Sequence, residues 1–284
     1  MKKIFFGIVV AVSLLFVSCD NNEEALNFYH KAKEAYENGD FLKVKEFSDS
    51  IKAADNTAFD EIRAGLQLSR KAELAINEQT LLYADSMLRV LQTVTNNLLN
   101  DFELVKDEEY QTAGELRYKH DPNRATQTKS CLRVYVTEDG ELILMSIHSG
   151  STSIKHESFK LSLSDGTYIM SDVIPYDEAN NYRYSTNGMY VETITYKEPK
   201  TTSIAQFVVD AKGAPITISY DGKKPYKYTM GKSTRKAIVE CYRLSELIKQ
   251  TKKYQRDQAI ASQTIVILKK QIEDHKGDSI KIRN

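Results

Sequence analysis

The sequence predicts an α+β protein, with helices toward both ends and an antiparallel β region between them. Three observations carry that reading. Apolar residues recur at steps of three or four from Glu23 to about Glu109 and again from about Lys232 to Asp274. Between about Leu116 and Tyr228 they alternate with polar residues instead. The breaks in that middle region are pairs such as Asp139-Gly140, Asp165-Gly166, Asn187-Gly188, Lys212-Gly213 and Asp221-Gly222, which tolerate the positive φ of tight hairpin turns.

The chain opens with Met1-Lys2-Lys3, an apolar and small stretch from Ile4 to Val17, and then Ser18-Cys19. That order marks a secretory leader. About 15 residues of helix reach only about 22 Å, short of the roughly 30 Å hydrocarbon core, so a permanent span is disfavoured. Phe16-Val17-Ser18-Cys19 resembles a lipobox, with Phe16 where Leu is usual. The resemblance implies cleavage before Cys19 and lipidation of Cys19, and two or three acyl chains give stable attachment where one would not. The following Asp20-Asn21-Asn22-Glu23-Glu24 resembles the export segment of Bacteroidetes-type cell-surface lipoproteins. It implies an outer-membrane, lipid-anchored protein, with the cell surface favoured over the periplasmic face; by enterobacterial sorting, Asp20 would instead mean retention in the inner membrane.

Beyond the tether, two helices of about 14 residues are predicted over 24–38 and 41–54, with Gly39 ending the first and Asp40 capping the second. Ala32, Ala35-Tyr36, Gly39-Asp40-Phe41 and Ile51-Lys52-Ala53 look like a single tetratricopeptide-type hairpin over 25–56. No second copy follows, and about three repeats are needed for a binding groove, so the resemblance implies hairpin geometry and not peptide binding. Thr57 and Asp60 resemble a capping box for what comes next. Residues 58–106 read as one long helix, or two broken near Asn77-Glu78, with Ala84, Met87, Leu91, Val94, Leu98, Phe102 and Val105 on one stripe.

In the middle region strands are predicted at 130–137, 141–148, 155–163, 167–174, 189–196, 203–209, 215–220 and 225–229, forming an antiparallel meander, a sandwich or a half-barrel. The last helix, 232–274, carries Ile238, Cys241, Leu244, Ile248, Ile265, Leu268 and Ile272 on a stripe that wants a partner. Its charge suggests one. Residues 231–274 carry a net +5 and residues 23–109 a net −8, so the C-terminal helix is expected to pack back on the N-terminal helices. The chain therefore divides into a leader (1–18), a lipidated cysteine and tether (19–24), a helical domain (25–110), an antiparallel β domain (111–230), a C-terminal helix joining the helical domain (231–275) and a tail (276–284).

Signals for chemistry are sparse. Formal charge is zero for the whole chain and near −2 once the leader with Lys2 and Lys3 is removed, which disfavours nucleic acid as a partner. Gly231-Lys232-Ser233-Thr234 lacks the strand and glycine-rich loop of a phosphate site and reads as the turn into the last helix. No HExxH, GxSxG or EF-hand loop is present. The histidines are scattered; His148 and His156, with Glu157, form the nearest approach to a metal or acid-base cluster but lack a third ligand at suitable spacing, so no metal and no cofactor are expected. Cys131 and Cys241 either form a bridge in an oxidising compartment or are two buried thiols.

Tyrosine is the more suggestive residue, since 12 of 17 fall between residues 110 and 230. Rings on a sheet serve packing, and rigid amphipathic rings also serve recognition. Tyr176, Asn180, Asn181, Tyr182, Tyr184 and Tyr190 are the candidate binding edge. Three functions follow as expectations. The first is a non-enzymatic envelope lipoprotein presenting a β-rich recognition domain on a helical stalk to a protein or glycan. A structural or assembly subunit engaging a partner through amphipathic helices is the second, and an envelope hydrolase the third.

Overall fold

Among the described residues the chain forms five helices and ten strands, in the α+β class. A computed structural model describes residues 20–109, 112–125 and 128–276, with side chains from Glu23 onward. The leader and Cys19 lie outside the described residues. Two compact units result: one joins the chain up to Ala84 with the chain from Asp257 on, and the other is Asp85–Arg256.

The first unit is helical. It contains α1 (Asp20–Glu37), α2 (Phe41–Ala54), the first half of α3 (Phe59–Leu99) and the second half of α5 (Lys232–Asp274). Gly39 takes φ +75°, and the amides of Gly39 and Asp40 donate back to Tyr36 and Ala35, closing α1 with a left-handed cap. Asp40 then caps α2 by accepting from the Lys43 amide. Small residues let the helices approach: Ala25, Ile51 and Ala58 pack together, as do Ala35, Val44 and Ala72. A Cβ on Gly65 would stand 2.5 Å from Ile51 Cδ1, so α2 and α3 meet where no side chain fits.

As expected, the last helix returns to the N-terminal ones. Lys269 on α5 pairs with Glu78 on α3 at 3.0 Å, Gln67 donates to the His275 carbonyl, and Ala261, Ile265 and Leu268 are buried.

Of the two readings of this segment, the single long helix is the one observed: α3 runs unbroken through Asn77-Glu78, where Asn77 donates to the Glu73 carbonyl. Its start is not a capping box on Thr57, whose hydroxyl and amide both donate to Asp55. The helix also stops at Leu99 rather than 106. Asn100-Asp101 turn the chain, and Phe102–Val105 becomes strand β1. Phe102 is buried as expected, but beside Tyr118 in the β core.

The second unit holds two antiparallel sheets. The larger is ordered β1-β2-β3-β4-β8-β7, built from β1, β2 (Glu115–Tyr118), β3 (Cys131–Thr137), β4 (Leu142–Gly150), β7 (Asn181–Thr186) and β8 (Met189–Tyr196). The smaller is β10-β9-β5-β6, from β5 (Ser158–Ser162), β6 (Tyr168–Met170), β9 (Thr217–Asp221) and β10 (Tyr226–Thr229). Leu132, Val134, Leu144 and Ile194 of the first share one buried core with Phe159, Leu161, Ile218 and Tyr220 of the second. This is a sandwich and not a meander, because β5 leaves the first sheet for the second and β8 returns beside β4. Ala237, Ile238, Cys241 and Leu244, on the first half of α5, complete that core.

The predicted strand at 203–209 is a helix, α4 (Lys200–Asp210). Its β-branched content suggested a strand, but its buried residues Thr201, Ile204, Ala205 and Val208 recur with helical period. The strand predicted at 167–174 spans only 168–170, and β1, β2 and β7 lie outside the predicted strands. Cys131 and Cys241 are both buried free thiols, which leaves the bridge unformed.

Candidate functional site

Strand β7 is the last strand of the larger sheet, so one of its edges is unpaired among the described residues. The register of β7 on β8 sets Tyr182 opposite Thr193 and Tyr184 opposite Val191, and β8 on β4 sets Thr195 opposite Met145. By strand alternation these side chains share one face. There Tyr182 and Tyr184, with ring centroids 5.7 Å apart, line an open depression of about 500 Å³ together with Met145, Ala179, Thr193 and Thr195. That volume lies within the roughly 300–1,000 Å³ of small-molecule clefts. Two rings supply stacking surface, and two threonine hydroxyls supply hydrogen bonding.

A second depression of about 270 Å³ shares Tyr184 as a wall and adds Ser153, Arg183, Ser185, Tyr190, Val191 and Glu192. The six residues singled out in the sequence thus have different fates. Tyr182, Tyr184 and Tyr190 line the depressions. Tyr176 lies over the Arg183 guanidinium at 4.9 Å, and its hydroxyl donates to Glu178. Burial, and then the Glu178 charge, raise the Tyr176 phenol above its ordinary value. Asn180 is exposed and shapes the turn, donating to Asp177 while its carbonyl accepts from the Thr195 amide. Asn181 is fully buried; its amide donates to the Ile174 carbonyl at 2.7 Å, which makes it a strut behind the edge.

Sequence reasoning missed the support beneath this edge. On the opposite face of β8, Glu192 is 1% exposed and accepts five hydrogen bonds. Ser153 Oγ and the amides of Ile154 and Lys155 donate to Oε1, at 2.6, 2.8 and 2.9 Å. The His156 amide and ring Nδ1 donate to Oε2, at 3.0 and 2.9 Å. Burial on its own would raise this carboxyl, yet the donors around it outweigh burial and hold it well below the usual carboxylate range. The result is a fixed anion that ties the β4–β5 connection to β8. His156 is therefore read as a partner of Glu192, not of Glu157 as the sequence suggested.

With its Nδ1 on Glu192, His156 places Nε2 3.0 Å from Ser146 Oγ. Serine, histidine and acid thus stand in the order of a hydrolase triad. Ser146 and His156 are completely buried, however, and His156 stacks on Tyr220 with centroids 5.0 Å apart. The Ser146 hydroxyl is 3.4 Å from Tyr196 OH, whose phenol burial raises to about 12. A hydroxyl enclosed in this way meets no substrate, and the constellation is a polar strut of the core. His148, across the same sheet, is held between Ser130 and the Thr152 carbonyl.

Among the described residues no group of three His, Cys, Asp or Glu side chains could hold a metal ion, and no helix is long and apolar enough to cross a membrane. Compared with protein-family models, curated proteins and solved structures, the chain gives no significant match to any.

Proposed function

We propose that this chain is a non-enzymatic, lipid-anchored envelope protein whose β-rich unit binds a glycan at the Tyr182–Tyr184 face, with a protein epitope as the other occupant that face would suit. The observation that carries the reading is the 500 Å³ depression with paired rings and threonine hydroxyls. Rigid tyrosines give contact area at low entropic cost, and their faces suit the apolar faces of sugars. Acylation of Cys19 would hold it to the outer membrane, with the cell surface favoured; the lipobox-like Phe16-Val17-Ser18-Cys19 and the acidic run behind it support that address.

The test is a glycan array probed with the full chain and with Tyr182→Ala. Binding to one glycan class that falls at least about tenfold in the variant is expected, a loss of about 1.4 kcal/mol or more. Binding that Tyr182→Ala leaves intact would remove the site, and silence across the array would transfer the proposal to a protein ligand. Mass spectrometry of the N-terminal peptide from native membranes tests the anchor, since an unmodified Cys19 refutes it.

A second reading, an assembly subunit, draws on Ile260 and Ile267 of α5, seven residues apart and both more than half exposed. If that face takes a partner helix, Ile267→Lys abolishes the association, which sedimentation velocity would show.

A further inference from the structure

The geometry points to a carboxylate-binding subsite at Arg183, so that the glycan bound by this edge carries an acidic sugar. This rests on the proposed glycan-binding function and adds the class of sugar. Arg183 stands on the edge strand β7 and lines the 270 Å³ depression with Ser153, Ser185, Tyr190 and Glu192. That volume sits just below the roughly 300–1,000 Å³ of whole-ligand clefts, a size for one substituent of a longer ligand. Tyr184 is the common wall with the larger depression, while Arg183 points to the other face of β7, so a sugar chain stacked on Tyr182 and Tyr184 reaches the guanidinium by passing over the outer edge of that strand.

Among the described residues no carboxylate oxygen lies within ion-pair distance of Arg183. Its Nη2 donates to the His156 carbonyl at 3.0 Å, and its guanidinium lies under the Tyr176 ring at 4.9 Å. These contacts fix the plane of the group. It forms no ion pair among the described residues, and its Nε is buried without a hydrogen-bond partner. With Nε buried and Nη2 already bonded to His156, a carboxylate would meet this positioned guanidinium end-on, at Nη1 and the second Nη2 hydrogen.

The acidic groups on the elements around Arg183 already accept hydrogen bonds from protein donors. Glu192, its neighbour across β7 and β8, spends both oxygens on five donors from Ser153 to His156. Asp177 accepts from the amides of Ala179 and Asn181 and from the Asn180 side chain. Glu178 accepts from Tyr176 OH. Lys155, whose amide is one of the Glu192 donors, has an exposed side chain and adds a second positive charge on the same connection. An incoming carboxylate therefore finds Arg183 available, while the acids nearby are engaged with protein donors.

Titration calorimetry on the full chain tests this with trimers of galacturonate, glucuronate and mannuronate, an N-acetylneuraminate-terminated trisaccharide, and the methyl ester of each. At least one acid is expected to bind, its ester at least about tenfold more weakly, and Arg183→Gln is expected to lose that discrimination. Arg183→Lys, which keeps the charge without the fork, should fall between the two. The ester comparison uses the unaltered protein, so it does not depend on the variants folding. If acid and ester bind alike and Tyr182→Ala weakens both, the glycan site stands and the Arg183 subsite is wrong. Should none of the acids bind, the subsite falls, and neutral glycans binding on the array would show that the broader reading survives it.

Discussion

Replacing Glu192 with alanine removes the acceptor for five donors at once. Three of them, the amides of Ile154 and His156 and the His156 ring N–H, belong to buried residues. A buried donor left unpaired costs about 1–3 kcal/mol, and breaking a buried charged pair costs about 3–5 kcal/mol. With part of the loop relaxing toward solvent, Glu192→Ala should lose about 4 kcal/mol, a large share of the roughly 5–15 kcal/mol that holds a domain folded. Glu192→Gln keeps one acceptor oxygen but aims an N–H₂ at other donors, and about 2 kcal/mol is expected. Urea unfolding followed by near-ultraviolet circular dichroism, which reads the tyrosine-rich unit, measures both.

The pH dependence gives an independent check. The folded-state pKa of Glu192 lies below its ordinary value of 4.5, so its stabilisation is complete above that value and is lost as pH falls through the depressed one. The gap between the natural protein and Glu192→Gln should therefore be constant from pH 6 to 8 and narrow below about pH 4.5. A loss under 1 kcal/mol for Glu192→Ala at pH 7 would refute the claim that this carboxylate holds the edge together.

Three further outcomes are expected. Asp121 is 1% exposed, its Oδ2 has no partner, and burial raises its carboxyl to about 6 from 3.8; its ionisation therefore costs stability that grows as pH rises toward 6 and persists above it, and Asp121→Asn should be about 1–2 kcal/mol more stable than the natural protein at pH 8 and no more stable at pH 3.5, by thermal melts at both. A Cβ on Gly222 would collide with the Ile154 carbonyl and crowd the His156 amide, so Gly222→Ala should cost about 2–3 kcal/mol in the same urea assay and speed amide exchange in residues 153–156. Burial raises the Cys131 thiol to about 11 and the Cys241 thiol further, so neither should react with a thiol reagent at pH 8 until the protein is unfolded.

What the sequence made legible followed from local pattern. The turn at Gly39-Asp40 and the hairpins at Gly140 and Gly188 each place a glycine at positive φ, and α2, β8 and α5 have the bounds their periodicity predicts. Errors came where tertiary burial decided. Ser203–Val209 is rich in β-branched and apolar residues yet buries Ile204, Ala205 and Val208 with helical period. Phe102 fitted the helical stripe, but its place in the β core outweighed that pattern. For the candidate site, tyrosine density located the edge and could not sort its members, since Asn181 faces inward and Tyr182 outward only by strand parity. Glu192 and Arg183 carried no sequence signal at all: the donors that fix one come from a loop 36–39 residues away, and the ring that stacks on the other lies across a turn.

The central claim is that the β7–β8 edge is where this protein meets its ligand, and hydrogen–deuterium exchange of the full chain, with and without the tightest oligosaccharide from the array, tests it most directly. Slowed exchange confined to residues 176–196 and 145–155 is the predicted result. Protection centred on α3 or the second half of α5, with residues 181–196 unchanged, would contradict it and favour a partner held by the helices.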